Sequence, residues 1–144
     1  RVVPGAHALR VMTNPGSRSP AWATSTGRAL LARMDDVQLA KDFSSGLESV
    51  SPASPRSLPE LMERLEQVRQ QGWAVAIDEA VPGVGSVSCA VRDPQSGDSM
   101  AFCLTFPTAM ACDAELERLA GLLLEQASQI GRKVGDNHWS VNAG

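Results

Sequence analysis

Apolar residues recur at helical spacing in two long segments of the chain. The first begins at Ser57, which forms a capping box with Glu60, and it ends at Gly72. The second has Asp113 as its predicted N-cap and Gly135 as its stop. The apolar faces are Leu58, Leu61, Met62, Leu65 and Val68 in the first segment, and Leu116, Leu119, Ala120, Leu123, Ala127, Ile130 and Val134 in the second. We therefore predict two amphipathic helices.

Shorter patterns precede the first of these helices. Residues 7–12 predict a strand that closes in a turn at 14–16. Residues 27–34 are rich in helix formers, and an acidic capping-box variant, Asp35 with Gln38, starts a second short helix that ends at residue 42. Residues 44–57 contain Ser, Pro and Gly without a clear period, so we predict a surface loop there.

A strand at 73–77 and a hairpin follow the first long helix. Residues 84–92 and 99–106 flank a turn-rich connection at 93–98, and alternation separates two faces of this hairpin. The large face holds Val87, Cys89, Val91, Met100, Phe102, Leu104 and Phe106, and the small face holds Ser86, Ser88, Ala90, Ala101, Cys103 and Thr105. We expect the second long helix to cover the large face, although it could instead serve a dimer. The small face is uncharged and fills little space, so a closely packed helix, a cavity or solvent covers it.

Small polar residues lead directly into the first short helix. Residues 16–32 read GSRSPAWATSTGRALLA. The first amides of a helix are unpaired and carry partial positive charge, so Ser25, Thr26 and Gly27 are candidates to receive a carboxylate or a phosphate. Alternatively, Thr24 or Ser25 is an N-cap whose hydroxyl satisfies those amides itself.

The composition indicates one compact domain and argues against several classes of protein. The chain has 144 residues, of which 43% are hydrophobic, and a formal net charge of −3. No apolar run approaches the roughly 18–20 residues of a membrane helix, and the N-terminus has no signal-peptide pattern, so we expect a cytoplasmic protein without a membrane partner. Lys and Arg are scattered singly, which argues against DNA binding by this segment itself.

The cysteines and histidines form no recognisable disulfide or metal set. The cysteines are Cys89, Cys103 and Cys112. Each lies in or beside an apolar segment, so we expect reduced, buried thiols. His7 and His138 lie near opposite ends of the chain, so we expect neither a metal nor a cofactor. His138 and Trp139 lie in a tail that the pattern assigns to no element, and we expect this tail to be solvent-exposed or ordered only by crystal contacts.

The order of these elements and several local motifs resemble the C-terminal effector-binding domain of IclR-type bacterial transcription regulators, over almost the whole chain. The pattern G-x-x-x-P-x-x-A-(T/S)-(A/S/G)-x-G-(K/R)-A-L-L-A is matched by Gly16, Pro20, Ala23, Thr24, Ser25, Gly27, Arg28, Ala29, Leu30, Leu31 and Ala32. The string R-x-x-G-(Y/W) is matched by Arg69, Gly72 and Trp73. The string G-(V/L)-x-x-(I/L/V)-(A/S)-x-x-(V/I)-x-D is matched by Gly83, Val84, Val87, Ser88, Val91 and Asp93.

The resemblance implies an α/β fold of the α+β type, with a GAF-like antiparallel sheet and helices on both faces. Relative to the family the chain starts late, so we expect residues 1–144 to be a single effector-binding domain that lacks the leading strand. The N-terminal winged helix-turn-helix of the family is also expected to be absent. The family further implies a small organic acid effector, a homodimer or homotetramer, and DNA binding only through the absent domain.

The resemblance also implies a ligand pocket between the sheet and the start of the first short helix. Binding roles fall on Ser25, Thr26, Gly27, Ser86, Cys103 and Thr105, with Val11, Ser19 and Val84 lining the walls. Ala76 stands where the family has an acidic pocket residue. Because no buried carboxylate has to be paired there, we expect a larger, less polar site that takes a bulkier or more aromatic acid than a two- or three-carbon keto acid.

Three functions follow from these observations. A ligand sensor breaks no bond and transmits binding to a DNA-binding module. A pure dimerisation or interaction module needs no ligand, and the absence of a cavity beside Thr105 would favour it. A cysteine-dependent enzyme would use Cys103, but the two histidines lie in unrelated segments and supply no adjacent base, so we expect no enzymatic activity.

Overall fold

The computed structural model describes residues 16–140. The predicted strand at 7–12 and the proposed wall residue Val11 lie outside the described residues. The helices are α1 (Ser25–Leu31), α2 (Asp36–Asp42), α3 (Leu58–Gln71), α4 (Asp113–Val134) and α5 (Asn137–Ser140), and the strands are β1 (Ala74–Ile77), β2 (Val84–Arg92) and β3 (Ser99–Pro107). Short 3-10 helices at Ala21–Ala23 and Thr108–Met110 precede α1 and α4.

The three strands form one antiparallel sheet in the order β1-β2-β3. The predicted hairpin is confirmed, because β2 has the expected bounds and β3 extends only one residue further, to Pro107. Val87 lies opposite Leu104, and Ser86 lies opposite Thr105, so the large and small faces are those that the alternation predicts. On the other side of β2, Ala76 of β1 lies opposite Ser86 and extends the small face.

Helices cover both faces of the sheet, which confirms the α+β fold class. On the large face, Leu123 and Ala127 of α4 pack against Val87, Cys89 and Val91. On the small face, residues of α1, α2 and α3 form a second apolar cluster with the sheet. Its buried members are Ala29, Leu31, Ala32, Leu39, Leu61, Leu65, Val68, Ala74 and Ala90. Large side chains thus fill the layer under α4, whereas small ones on the sheet allow α1 to approach closely.

The helix ends follow local hydrogen bonding. α1 ends at Leu31 and not at Met34 as predicted, and Arg69 of α3 donates to the carbonyl oxygens of Ala32 and Met34 at 3.1 Å each. These carbonyls therefore have a partner outside the helix. The predicted cap of α4 was wrong by one residue: Asp113 is the first helical residue, and Cys112 occupies the N-cap without a side-chain bond. Ser57, Gly72 and Gly135 bound α3 and α4 as predicted.

The segment after α4 corrects the prediction of an exposed tail. Trp139 is only 5% exposed, and its Nε1 donates to the carbonyl oxygen of Ala90 at 3.0 Å. A Cβ added to Gly131 of α4 would lie 2.5 Å from Trp139 Cδ1, so a glycine is needed where the indole crosses the helix. A single tryptophan beyond a helix stop has no periodicity, which is why the pattern did not predict this packing.

The cysteines also differ from the expectation of three buried thiols. Cys89 is buried under α4, and burial raises the pKa of its thiol to about 12. Cys103 and Cys112 are exposed. Cys103 lies on the small face of β3, and Cys112 lies in the connection between β3 and α4, so neither side chain enters an apolar cluster. All three are free thiols.

A buried ion pair connects α1 to the segment that follows β1. Arg28 is 2% exposed, and its guanidinium binds both carboxylate oxygens of Glu79, at 2.5 and 2.8 Å. The same guanidinium donates to the carbonyl oxygens of Trp22 and Val75. Arg64 of α3 approaches Glu79 at 3.0 Å. The desolvated charges therefore have bidentate geometry and several hydrogen bonds, as a buried pair requires.

Asp136 makes a second buried polar contact, between the end of α4 and the sheet. It is 4% exposed, accepts from Arg33 at 2.5 Å and accepts from the backbone N–H of Arg92 at 2.8 Å. Burial acts to raise the pKa of Asp136, but the hydrogen bonds from Arg92, Arg33 and His138 outweigh it. The pKa is therefore held below its ordinary value of 3.8.

We predict that Glu79→Gln destabilises the domain by about 3–5 kcal/mol, because it leaves the Arg28 charge buried without a counter-charge. Urea denaturation followed by circular dichroism measures the change. Glu60→Gln is the matched control, since Glu60 is 41% exposed in its pair with Arg56, and it should have a much smaller effect. Equal effects of the two substitutions would show that the buried pair contributes nothing.

We also predict that Asp136→Asn is less stable than the parent at neutral pH and that this difference shrinks in acid. A carboxyl whose pKa is lowered by folding stabilises the folded state above its unfolded pKa, here near 3.8. That stability is lost as the pH falls through the folded-state pKa. Free energies of unfolding measured across an acidic pH series should therefore converge for the two proteins. Parallel curves would contradict this role of Asp136.

Candidate functional site

Three serine hydroxyls meet between α1 and the small face of the sheet. Ser25 is the first residue of α1, and its Oγ donates to Ser86 Oγ at 2.7 Å. The same oxygen shares a hydrogen bond of 2.6 Å with Ser88 Oγ. Ser25 is 1% exposed and Ser88 is completely buried, while Ser86 is half-buried. We call Ser25, Ser86 and Ser88 the serine cluster.

The strands on either side of β2 place other small residues beside the serine cluster. Cys103 of β3 lies opposite Ser88, and its Sγ is 4.0 Å from Ser25 Oγ. Thr105 of β3 is exposed and lies opposite Ser86. Ala76 of β1 lies opposite Ser86 on the other side and is buried. The small face therefore carries a row of small residues across all three strands at the level of Ser86.

The start of α1 is capped by its own side chains. Thr24 is the N-cap, and its Oγ1 accepts from the backbone N–H of Gly27 at 3.1 Å. Thr26 Oγ1 is 3.5 Å from the Thr24 hydroxyl. Thr24 is thus the N-cap, as one of the two alternatives proposed, and its hydroxyl occupies the Gly27 amide. A Cβ at Gly27 would lie 2.1 Å from the carbonyl oxygen of Ala21, so this glycine allows the preceding 3-10 helix to pack against α1.

The remaining residues of the proposed pocket are dispersed. Ser19 is exposed and precedes the 3-10 helix at Ala21–Ala23. Val84 is half-buried at the start of β2, where it lies opposite Pro107. Of the proposed set, Ser25, Ser86 and Cys103 are joined by direct contacts. Thr105 and Ala76 are adjacent to Ser86 through the sheet register.

A closely packed helix, and not an open cavity, covers the buried part of the small face. Ser88 and Ala90 are at most 5% exposed, and α1 lies over them. Two cavities in the described part of the chain border the same layer of helices, with volumes of about 300 and 240 Å³. Neither of these two is lined by a member of the serine cluster or by Thr105.

Ser88 and the pair of Arg28 with Glu79 are not among the binding residues that the sequence predicts. Ser88 lies on the small face two residues after Ser86, so the alternation already placed it beside Ser86. The pairing of Arg28 with Glu79 connects positions 51 residues apart, and no local spacing indicates it. In the range 16–140 no group of three His, Cys, Asp or Glu side chains is arranged to hold a metal ion. No helix among residues 16–140 combines the length and apolar character needed to cross a bilayer.

The sequence matches the family model of the bacterial transcriptional regulator IclR C-terminal domain over residues 1–132. The chain belongs to this family. It is the C-terminal regulatory domain of an IclR-type transcriptional regulator, as its resemblance implied. This assignment accounts for the α+β fold with helices on both faces of the sheet.

Curated and solved proteins of the same kind match the IclR-type chain. The HTH-type transcriptional repressor AllR of Salmonella paratyphi A is 27% identical over 128 residues, which are 88% of this chain and 47% of that protein. The repressor BlcR of Agobacterium tumefaciens has a TM-score of 0.75 at 27% identity, covering 90% of this chain and 51% of that one. The inducer-binding domain of PobR from Acinetobacter, a double mutant in complex with 3-hydroxybenzoic acid, has a TM-score of 0.71 at 27% identity. That match covers 81% of this chain and 69% of the PobR chain.

These relatives are transcriptional regulators, which are not enzymes. The chain spans about half the length of the curated relatives it matches. The described contact of Cys103 is with a hydroxyl, which is not a base, and His138 lies in α5 beside Trp139.

We predict that Ser25→Ala destabilises the domain by about 1–3 kcal/mol, because it leaves the fully buried Ser88 hydroxyl without a partner. Removing both partners avoids that unsatisfied group, so Ser25→Ala combined with Ser88→Ala should cost less than the sum of the two single substitutions. Chemical denaturation of the four proteins in this double-mutant cycle measures the coupling. Strict additivity would mean that the two hydroxyls do not interact in solution.

Proposed function

We propose that this domain binds a small organic acid as its effector, and that the carboxylate of the acid is received by the hydroxyls of Ser25, Ser86 and Thr105. The observation that carries the proposal is the contact of Ser25 with both Ser86 and Ser88. These hydroxyls come from two elements, α1 and β2, that are more than 60 residues apart in sequence. A carboxylate has two oxygens that each accept hydrogen bonds, so it suits such a set of donors.

Burial of the serine cluster couples ligand binding to a structural change. Ser25 is 1% exposed, so an acid can reach its hydroxyl only if α1 moves away from the sheet. Under this proposal the effector selects a state in which the gap between α1 and β2 is wider than in the described conformation. A ligand that binds the two states with different affinity shifts their populations, which is what a regulator requires.

The residues around the serine cluster favour an acid with an apolar body. Ala76 and Ala74 supply methyl groups on β1, and Ala76 replaces the acidic residue that the family usually has at this place. A bulkier or more aromatic acid fits this surface better than a two- or three-carbon keto acid. The related PobR domain was solved with an aromatic acid, 3-hydroxybenzoic acid. We extend that class of ligand to this chain.

We further propose that the complete regulator binds DNA through a separate domain and acts as a homodimer or homotetramer. The AllR relatives are HTH-type repressors of about twice the matched length. The net charge of this chain, −3, agrees with DNA contacts lying elsewhere. Under this proposal residues 1–144 are the sensory domain of that regulator.

A dimerisation module without a ligand is the second candidate. It is favoured by the way α1 closes the small face, because the three hydroxyls already satisfy one another. This candidate requires no movement of α1. It therefore predicts the same melting temperature with and without organic acids.

The test is a panel of aliphatic and aromatic carboxylic acids titrated into the chain while thermal unfolding is recorded. A true effector at about 100 times its Kd should stabilise the folded state by about 2.7 kcal/mol. Thr105→Val removes one exposed hydroxyl of the site at nearly constant volume and should weaken binding. Thr108→Val is the matched control, since Thr108 lies beyond β3 and outside the small face. Failure of every acid to stabilise the parent, or equal binding by the two variants, would refute the effector site.

A further inference from the structure

A second polar site lies at the opposite end of α1 from the serine cluster. The cavity of about 300 Å³ is lined by three arginines, Arg33, Arg69 and Arg92, together with His138. The rest of its wall is Ala29, Ala32, Val68, Gly72 and Ala90. No acidic residue lines this cavity within the described chain. Arg33 lies in the turn that follows α1, whereas Ser25 is the first residue of that helix.

We propose that this arginine cavity binds a phosphate group, either as inorganic phosphate or as the phosphate of a phosphomonoester. The three arginines come from three places in the chain, the turn after α1, helix α3 and the end of β2, and all three line this cavity. The planar fork of a guanidinium matches the oxygens of a phosphate, and a doubly charged anion suits several arginines better than a monocarboxylate does.

Arg33 has hydrogen-bonding capacity that its described partners do not use. Its Nη2 donates to Asp136 at 2.5 Å, but its Nη1 is buried and has no hydrogen-bond partner within residues 16–140. A buried N–H without an acceptor costs free energy, and an unoccupied ion site is one of the reasons that such a group occurs. A phosphate oxygen could reach this N–H only if the Arg33 side chain turned toward the cavity, because Nη1 is buried in the described conformation.

Arg92 is the most available of the three cations. Its backbone N–H binds Asp136, whereas its side chain is exposed and makes no ion pair or hydrogen bond within the described part of the chain. Its exposure gives an anion in solvent a route to the cavity. A ligand here does not require α1 to leave the sheet, in contrast to the serine cluster.

Arg69 and His138 complete the wall. Arg69 is positioned by the carbonyl oxygens of Ala32 and Met34 and pairs with Asp36 at 2.8 Å. Asp36 is 61% exposed, so water screens much of its charge, while Asp136 pairs with Arg33 and Glu66 lies 3.6 Å from Arg69. Arg92 is therefore the cation of this cavity whose side chain has no acidic partner within residues 16–140. Burial lowers the pKa of His138 and the nearby Arg33 lowers it further, against the effect of Asp136. The lowered pKa favours the neutral imidazole, which has one ring N–H to donate.

The experiment is a titration of the chain with inorganic phosphate at constant ionic strength, balanced with chloride, followed by isothermal calorimetry and by backbone amide shifts. We expect saturable binding, with shift changes at residues that line the cavity. Arg92→Gln keeps the backbone N–H that binds Asp136 and should weaken binding about tenfold or more, since a charge-assisted hydrogen bond is lost. Arg92→Glu should abolish binding. Arg118→Gln is the matched control on α4, where Arg118 pairs with Glu115 away from the cavity, and it should bind as the parent does.

Two further titrations distinguish the source of the phosphate and the class of anion that the cavity binds. Tighter binding of glycerol 3-phosphate than of inorganic phosphate would identify a phosphomonoester as the ligand, and the reverse order would identify the free ion. Either order supports the site. Acetate binding as tightly as phosphate, a response that does not saturate, or equal affinities for the parent and Arg92→Gln would overturn it. Neither Arg92 substitution touches the serine cluster, so this result is independent of the effector proposal.

Discussion

The close approach of α1 to the sheet is the constraint on which the rest of the structure depends. It is possible because the sheet presents small residues on that face over residues 74–76, 86–90 and 101–105, and because Gly27 lets the chain before α1 pack without a side chain in between. At this distance the hydroxyls brought together must bind one another, since buried polar groups need partners. Ser25 meets that requirement with Ser86 and Ser88. The same helix buries Arg28, which binds Glu79 beyond β1.

The layer under α4 and the layer under α1 therefore differ in the side chains that contact the sheet. Under α4 the contacts are large apolar side chains such as Phe106 and Leu123, which interdigitate and resist displacement. Under α1 the contacts with the sheet are short hydroxyls and alanines, together with the ion pair of Arg28 and Glu79. The helix α1 also shares a buried apolar cluster with α3, which includes Leu31, Leu61 and Leu65. Moving α1 away from the sheet would therefore break a buried ion pair and disturb this cluster, so the proposed effector must supply binding free energy that offsets both.

The sequence predicts the strands, the hairpin faces and the long helices well, because each has a period that is read locally. Ser57, Gly72 and Gly135 bound their helices as predicted, since caps and left-handed stops act within one turn. Contacts between distant segments produce no local pattern in the sequence. Trp139 packs on Gly131 and Ala90, and Arg28 pairs with Glu79, through tertiary structure alone. For the site, the alternation predicts that Ser86 and Ser88 share one face. It does not decide whether a helix, a cavity or solvent covers that face.

Position 76 carries an alanine and not an acid, and this lowers the free-energy cost of packing α1 against the sheet. Had a carboxylate stood there, one strand from Ser86, closing α1 over it would bury a charge that needs a partner. Ala76 imposes no such cost, and hydroxyls both donate and accept, so the serine cluster is satisfied in the closed state. Under the proposed function, a carboxylate would offer these hydroxyls a charged acceptor, and charge-assisted bonds are stronger than those between neutral groups. The difference between the two sets of hydrogen bonds would then contribute to the free energy that holds α1 away from the sheet.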